Sequence, residues 1–105
     1  MAETLSGNTT VVVTPKQISS NLAGEEVIMQ LESGIYYGLD SVGASVWALV
    51  QQPRTVAAIC EAICAEFDVE PERCLADVRQ LLTELIDAQL VEVRHGQDET
   101  VAPTA

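Results

Sequence analysis

An α+β domain is expected from this sequence, a small three-stranded antiparallel sheet in the first half followed by three helices in the second. Three observations predict it. Two β-prone runs, residues 26–31 and 35–39, are joined by Glu32-Ser33-Gly34, a short loop ending in glycine. Beyond Asp40 the apolar residues recur at helical rather than strand spacing. Pro53 and Pro71 divide that helical half into three segments.

Taken in order, residues 11–13 and 18–22 are pieces of a first strand interrupted by Pro15, which cannot donate to a ladder. The hairpin follows, with Gly34 expected in the left-handed conformation. Alternation groups Val27, Met29 and Leu31 on one face of its first strand and Ile35, Tyr37 and Leu39 on one face of its second. Asp40 or Ser41 caps a helix running to about Gln51, with Val42, Val46, Trp47 and Val50 at core spacing. Thr55 caps a second helix whose stripe is Val56, Ile59, Ile63 and Phe67, with Cys60 and Cys64 beside it. Pro71 and Glu72 open a third helix to about Ala88, with a core stripe of Leu75, Val78, Leu82 and Leu85. Leu81 and Ile86 widen that stripe, either for packing on both other helices or to line an open groove beside the sheet. Leu90 and Val93 suggest a short closing strand.

The 105 residues make one domain, expected over 11–94, between flexible ends at 1–10 and 95–105. No apolar run approaches the ~20 residues of a membrane span, and the N-terminus lacks the basic region of a secretory signal. A cytoplasmic protein with no membrane partner is expected. The net charge is −11, from sixteen acids and five bases. Residues 66–92 hold eight acids against Arg73 and Arg79. Such a surface repels phosphate backbones, so no nucleic-acid partner is expected. It favours basic peptides or basic protein surfaces, and it also serves solubility.

Catalytic chemistry finds no foothold. His95 is the single histidine and sits at the start of the tail, so no Ser-His-Asp arrangement is available. Gly34, Gly38 and Gly43 match neither phosphate-loop spacing. Cys60, Cys64 and Cys74 fall in helices without a neighbouring base, and three thiols with one distant histidine make a poor zinc set. No enzyme activity, metal or cofactor is expected. What remains is binding: Ile35, Tyr36, Tyr37, Gly38 and Leu39 form a short, uncharged strand with none of the Lys or Pro that usually blunts a sheet edge. Such an edge suits an incoming extended peptide, unless the strand is central or covered.

The run Glu32-Ser33-Gly34-Ile35-Tyr36-Tyr37-Gly38-Leu39-Asp40-Ser41-Val42-Gly43-Ala44-Ser45-Val46-Trp47 resembles the signature of PqqD-like proteins. The likeness continues through Pro53-Arg54-Thr55-Val56, Asp77-Val78, Leu82 and Leu85, and Leu90-Val91, about residues 18–93 in all. These proteins are recognition elements for ribosomally made, post-translationally modified peptides (RiPPs). The resemblance implies a winged-helix-like fold that adds a precursor's leader peptide as an antiparallel strand on the third strand, against the third helix. Carried over, the peptide-binding residues are Ile35, Tyr36, Tyr37, Gly38 and Leu39 on the strand and Asp77, Val78, Leu81, Leu82 and Leu85 on the helix. Backbone groups of the strand would set register. Val78, Leu81 and Leu85 would form apolar pockets, and Asp77 would meet a basic or hydroxyl group. Each helix residue is equally a core candidate, Leu82 above all.

Stand-alone proteins of this length resemble the leader-binding members of lasso-peptide systems, which implies a leader peptidase and a cyclase as partners. Two alternatives remain open: a winged-helix DNA-binding regulator, and a scaffold subunit for a modifying enzyme such as a radical-SAM enzyme.

Overall fold

A computed structural model describes residues 5–23 and 25–94. The elements run β1 (Thr10–Val13), β2 (Gln17–Leu22), β3 (Glu25–Gln30), β4 (Tyr36–Leu39), α1 (Ser41–Leu49), β5 (Arg54–Thr55), α2 (Val56–Phe67), α3 (Pro71–Asp87) and β6 (Val91–Val93). The α+β class stands, with two antiparallel sheets among the described residues, ordered β2-β3-β4 and β5-β1-β6.

The single first strand expected across Pro15 is therefore two strands in different sheets. Val13 and Thr14 donate their N–H groups to the carbonyls of Val50 and Leu90, which holds β1 to the helical body. Pro15 has no N–H to continue that ladder. The Thr14 hydroxyl donates to the Gln89 carbonyl at 2.8 Å and accepts from Lys16 N–H at 3.2 Å, which turns the chain into β2.

Capping chemistry places the helices as read. The Asp40 carboxylate accepts from Gly43 N–H at 2.9 Å, and the Thr55 hydroxyl accepts from Ala58 N–H at 3.1 Å. Pro71 sits in the first turn of α3. The first helix stops at Leu49 rather than near Gln51, because Val50 turns its carbonyl to β1.

The core gathers Val11, Ile28, Val46, Trp47, Val56, Ile59, Ile63, Val78, Leu82, Leu85, Leu90 and Val91 between the sheets and helices. The Trp47 indole N–H donates to the Ser19 hydroxyl at 3.2 Å and pins α1 to β2. Leu5 belongs to this core as well, and Thr10 begins β1, so the packed body starts earlier than residue 11. The expected tail at 95–105 lies outside the described residues. On α3 the buried positions are Cys74, Val78, Leu82 and Leu85, with Leu75 only half-buried. A small thiol fits where α3 begins against α2: the Cys74 Sγ lies 3.6 Å from the Cys60 carbonyl, to which it donates.

Candidate peptide-binding site

Among the described residues the sheet order leaves β4 at an edge, bonded to β3 alone. Residue pairing runs Met29 with Tyr36, Ile28 with Tyr37, Val27 with Gly38 and Glu26 with Leu39. At the start of this ladder Gln30 N–H donates to the Ile35 carbonyl at 2.9 Å. Antiparallel alternation then directs the backbone groups of Ile35, Tyr37 and Leu39 at β3, and those of Tyr36 and Gly38 away from the sheet. Those two residues present the open donors and acceptors. A Cβ built on Gly38 would meet nothing within 4 Å, so the outer face of the strand is open there.

The hairpin geometry comes from its loop. Gly34 has φ +74°, in the left-handed region, and donates its N–H to the Gln30 carbonyl at 2.8 Å. The Gln30 side chain is buried, and its Oε1 accepts from Ser33 N–H at 2.7 Å. Beyond β4, Gly43 lets α1 start tight against the strand, since a Cβ there would lie 3.0 Å from that of Leu39.

The side chains of β4 divide by face. Tyr36 is 68% exposed on the outer face, while Tyr37 and Leu39 lean on the core. Ile35 precedes the strand and is exposed. Two recesses lie near the ends of β4, both walled by α3. The first, about 100 Å³, follows its C-terminal end, where Val42, Val46, Ile63, Val69, Cys74, Asp77, Val78 and Leu81 line it. The second, about 320 Å³, lies at the hairpin end between Gln30, Glu32, Ser33, Ile35 and Tyr37 on one side and Asp87, Ala88 and Gln89 on the other.

Asp77, Val78 and Leu81 thus share one cavity, whose lining is otherwise aliphatic apart from a thiol. Val78 is almost wholly buried and shows the cavity only an edge, whereas Leu81 is half-buried. Asp77 is exposed at the mouth, 3.9 Å from Arg73. Leu82 and Leu85 are 0% and 3% exposed and sit in the core, outside both linings. The α1 contribution, Val42 and Val46, carried no signal beyond helical core spacing. Glu32, Asp87 and the buried Gln30 lacked even that.

Burial pushes the Cys74 thiol up to about 12, and its contacts with the Cys64 and Cys60 thiols add to the shift. Burial also raises Cys60, partly offset by the Cys74 hydrogen bond. These thiols stay protonated near neutrality, the opposite of a nucleophile or metal ligand. Among the described residues no group of three or more His, Cys, Asp or Glu is placed to hold a metal ion. Among them also, no helix is long and apolar enough to cross a membrane.

Comparison with known proteins gives this geometry a lineage. No curated protein matches the chain in sequence. The structure of TbiB1 in complex with the TbiA(beta) leader peptide is 32% identical, covers 77% of this chain and 94% of that one, and superposes with a TM-score of 0.72. Lasso peptide synthetase B1 complexed with the leader peptide shares the fold at a TM-score of 0.70 and 18% identity, covering 78% of this chain and 96% of that one. The PqqD truncation of Methylobacterium extorquens PqqCD, a stand-alone RiPP recognition element, does so at 0.70 and 21%, covering 84% and 94%. The family model for coenzyme PQQ synthesis protein D matches residues 25–91, from β3 to the start of β6. With that match over more than half its length, the chain belongs to the PqqD family.

Proposed function

We propose that this chain is a non-catalytic RiPP recognition element that captures the leader of a ribosomally made precursor as an added antiparallel strand on β4. The observation that carries the reading is the open edge at Tyr36 and Gly38 on a strand that leads into the first turn of α1, where Val42 and residues of α3 line an apolar recess. Backbone pairing there supplies affinity largely independent of leader sequence, and the recess selects among leaders by the side chain it accepts. Support comes from the similar TbiB1 structure, which holds a leader peptide. On this reading the site residues are Tyr36 and Gly38 through their backbones, and Asp77, Val78 and Leu81 through their side chains. Ile35, Tyr37 and Leu39 hold the strand in place, while Leu82 and Leu85 support the wall from the core.

The precursor is that of a lasso peptide, and the loaded protein presents it in the cytoplasm to a separate leader peptidase and then a cyclase. A DNA-binding role has no support in a surface with eight acids and two bases over residues 66–92.

Amide-shift mapping with the leader of the neighbouring precursor gene tests the proposal. Shifts are expected on Tyr36, Gly38 and residues 77–81. Gly38→Pro removes an outward N–H and is expected to abolish those shifts while the β3 ladder persists. Unchanged binding by the folded variant sinks strand addition. Silence at high peptide concentration instead favours a scaffold subunit for a modifying enzyme.

A further inference from the structure

We propose that the two recesses read the leader at positions four residues apart, an apolar residue first and a basic residue second. This rests on the leader-capture reading above. Direction comes from the strands. β4 runs from the hairpin recess toward the first turn of α1, where the apolar cavity lies. An antiparallel guest therefore meets the apolar cavity with its N-terminal part and the hairpin recess with its C-terminal part.

Spacing comes from α3. It walls the apolar cavity with residues centred near 78, and the hairpin recess lies at its end, near residue 88. Ten residues at about 1.5 Å each separate the two by about 15 Å. Side chains on one face of a strand recur every ~6.7 Å. Residues four apart span about 13 Å and reach both recesses, whereas residues two apart fall well short.

The chemistry differs between the ends. The apolar cavity of about 100 Å³ is smaller than the ~150 Å³ that admits benzene, so it takes an aliphatic side chain or the edge of a ring. The hairpin recess, about 320 Å³, has room for a long side chain and carries the carboxylates of Glu32 and Asp87. Glu32 already meets Lys16 at 3.6 Å. Asp87 occupies the last turn of α3, which has no basic residue and where the helix dipole disfavours a carboxylate. A cation from a guest would offset that cost, and the chain's charge of −11 draws one in. Gln30 makes the recess more than an acidic cluster. It is 3% exposed and lines the recess, and its Oε1 accepts from Ser33 N–H while no hydrogen bond donated by Nε2 is found among the described residues. That donor is available to a carbonyl of the guest.

Selection of random 12-residue peptides displayed on phage against the full chain tests this register. Enriched peptides are expected to carry an apolar residue followed four positions later by Lys or Arg. Synthetic copies with that base changed to Ser should bind about five-fold more weakly at low salt, with the difference fading in 1 M salt. Asp87→Lys relieves the helix end and so should fold. It is expected to turn the preference at the second position acidic while leaving the apolar requirement intact. An apolar requirement with no bias at the second position, a carboxamide in place of the base, or a basic bias at another spacing overturns the register alone. No enrichment at all, or enrichment that Gly38→Pro leaves untouched, overturns leader capture with it.

Discussion

At the scale of single residues, α3 separates recognition from packing within one turn. Leu81 faces the cavity half-buried, and Leu82 beside it is wholly buried. Leu81→Asp is expected to leave a folded protein by circular dichroism and to weaken leader binding at least tenfold, because its charge would have to be desolvated against apolar anchors. Leu82→Ala is expected to cost about 2–5 kcal/mol in denaturant melts and to leave the affinity of the folded fraction unchanged. Cys74 supplies a different signature. Its proton is kept in the folded protein to about pH 12, whereas an unfolded thiol releases it near 8.5. Stability from the neutral thiol is therefore complete below the unfolded value and is lost as pH climbs through the folded one. Alkaline unfolding should show a decline between those limits, and Cys74→Ala should flatten it.

At the scale of elements, the β3–β4 hairpin is the piece most fully legible in sequence, because its determinants are local. Gly34 adopts the left-handed conformation its loop position called for. A Cβ there would touch nothing within 4 Å, so strain rather than crowding opposes substitution. Gly34→Ala is expected to destabilise the domain by about 1 kcal/mol in thermal melts. The facing of β3 was not legible. Val27, Met29 and Leu31 make the more apolar row, yet Ile28 and Gln30 are the buried pair. Gln30 is tolerated there because Ser33 N–H satisfies its oxygen, a contact set by the turn rather than by the strand's own pattern. The same alternation sorts the strand residues expected at the site. Tyr36 and Gly38 offer their backbones outward, and Tyr37 is committed to β3.

At the scale of the molecule, β1 lies between β5 and β6, so residues near both ends and the middle of the described chain close one small sheet. Arg94 N–H donates to the Thr10 carbonyl at 2.8 Å, and Val56 N–H donates to the Thr9 carbonyl at 2.9 Å. Leu5 packs into the core behind this sheet. Leu5→Ala is expected to lower stability by about 2–5 kcal/mol; a change within 0.5 kcal/mol would return residues 5–9 to the role of a frayed end. Composition gave no warning of this packing. Isolated apolar residues among Ser, Gly, Asn and Thr carry no periodicity, and the segment is held by partners far along the chain, such as Ala57, whose N–H donates to the Gly7 carbonyl at 3.0 Å.

What the sequence determined by itself were the features fixed by neighbours along the chain. The Asp40 and Thr55 caps, the proline start of α3, the glycine turn and the stripe Val78, Leu82, Leu85 all depend on contacts within a few residues. A family resemblance then pointed to the strand and helix proposed as the site. The tertiary structure decided what long-range packing governs: that Pro15 parts two sheets, that Cys74 and not Leu75 is buried, and that β4 is an edge. It also decided that Leu81 meets α1 across a cavity while Leu82 and Leu85 do not. Exposure and edge status belong to the arrangement of elements, and no local pattern of side chains encodes which neighbour fails to arrive.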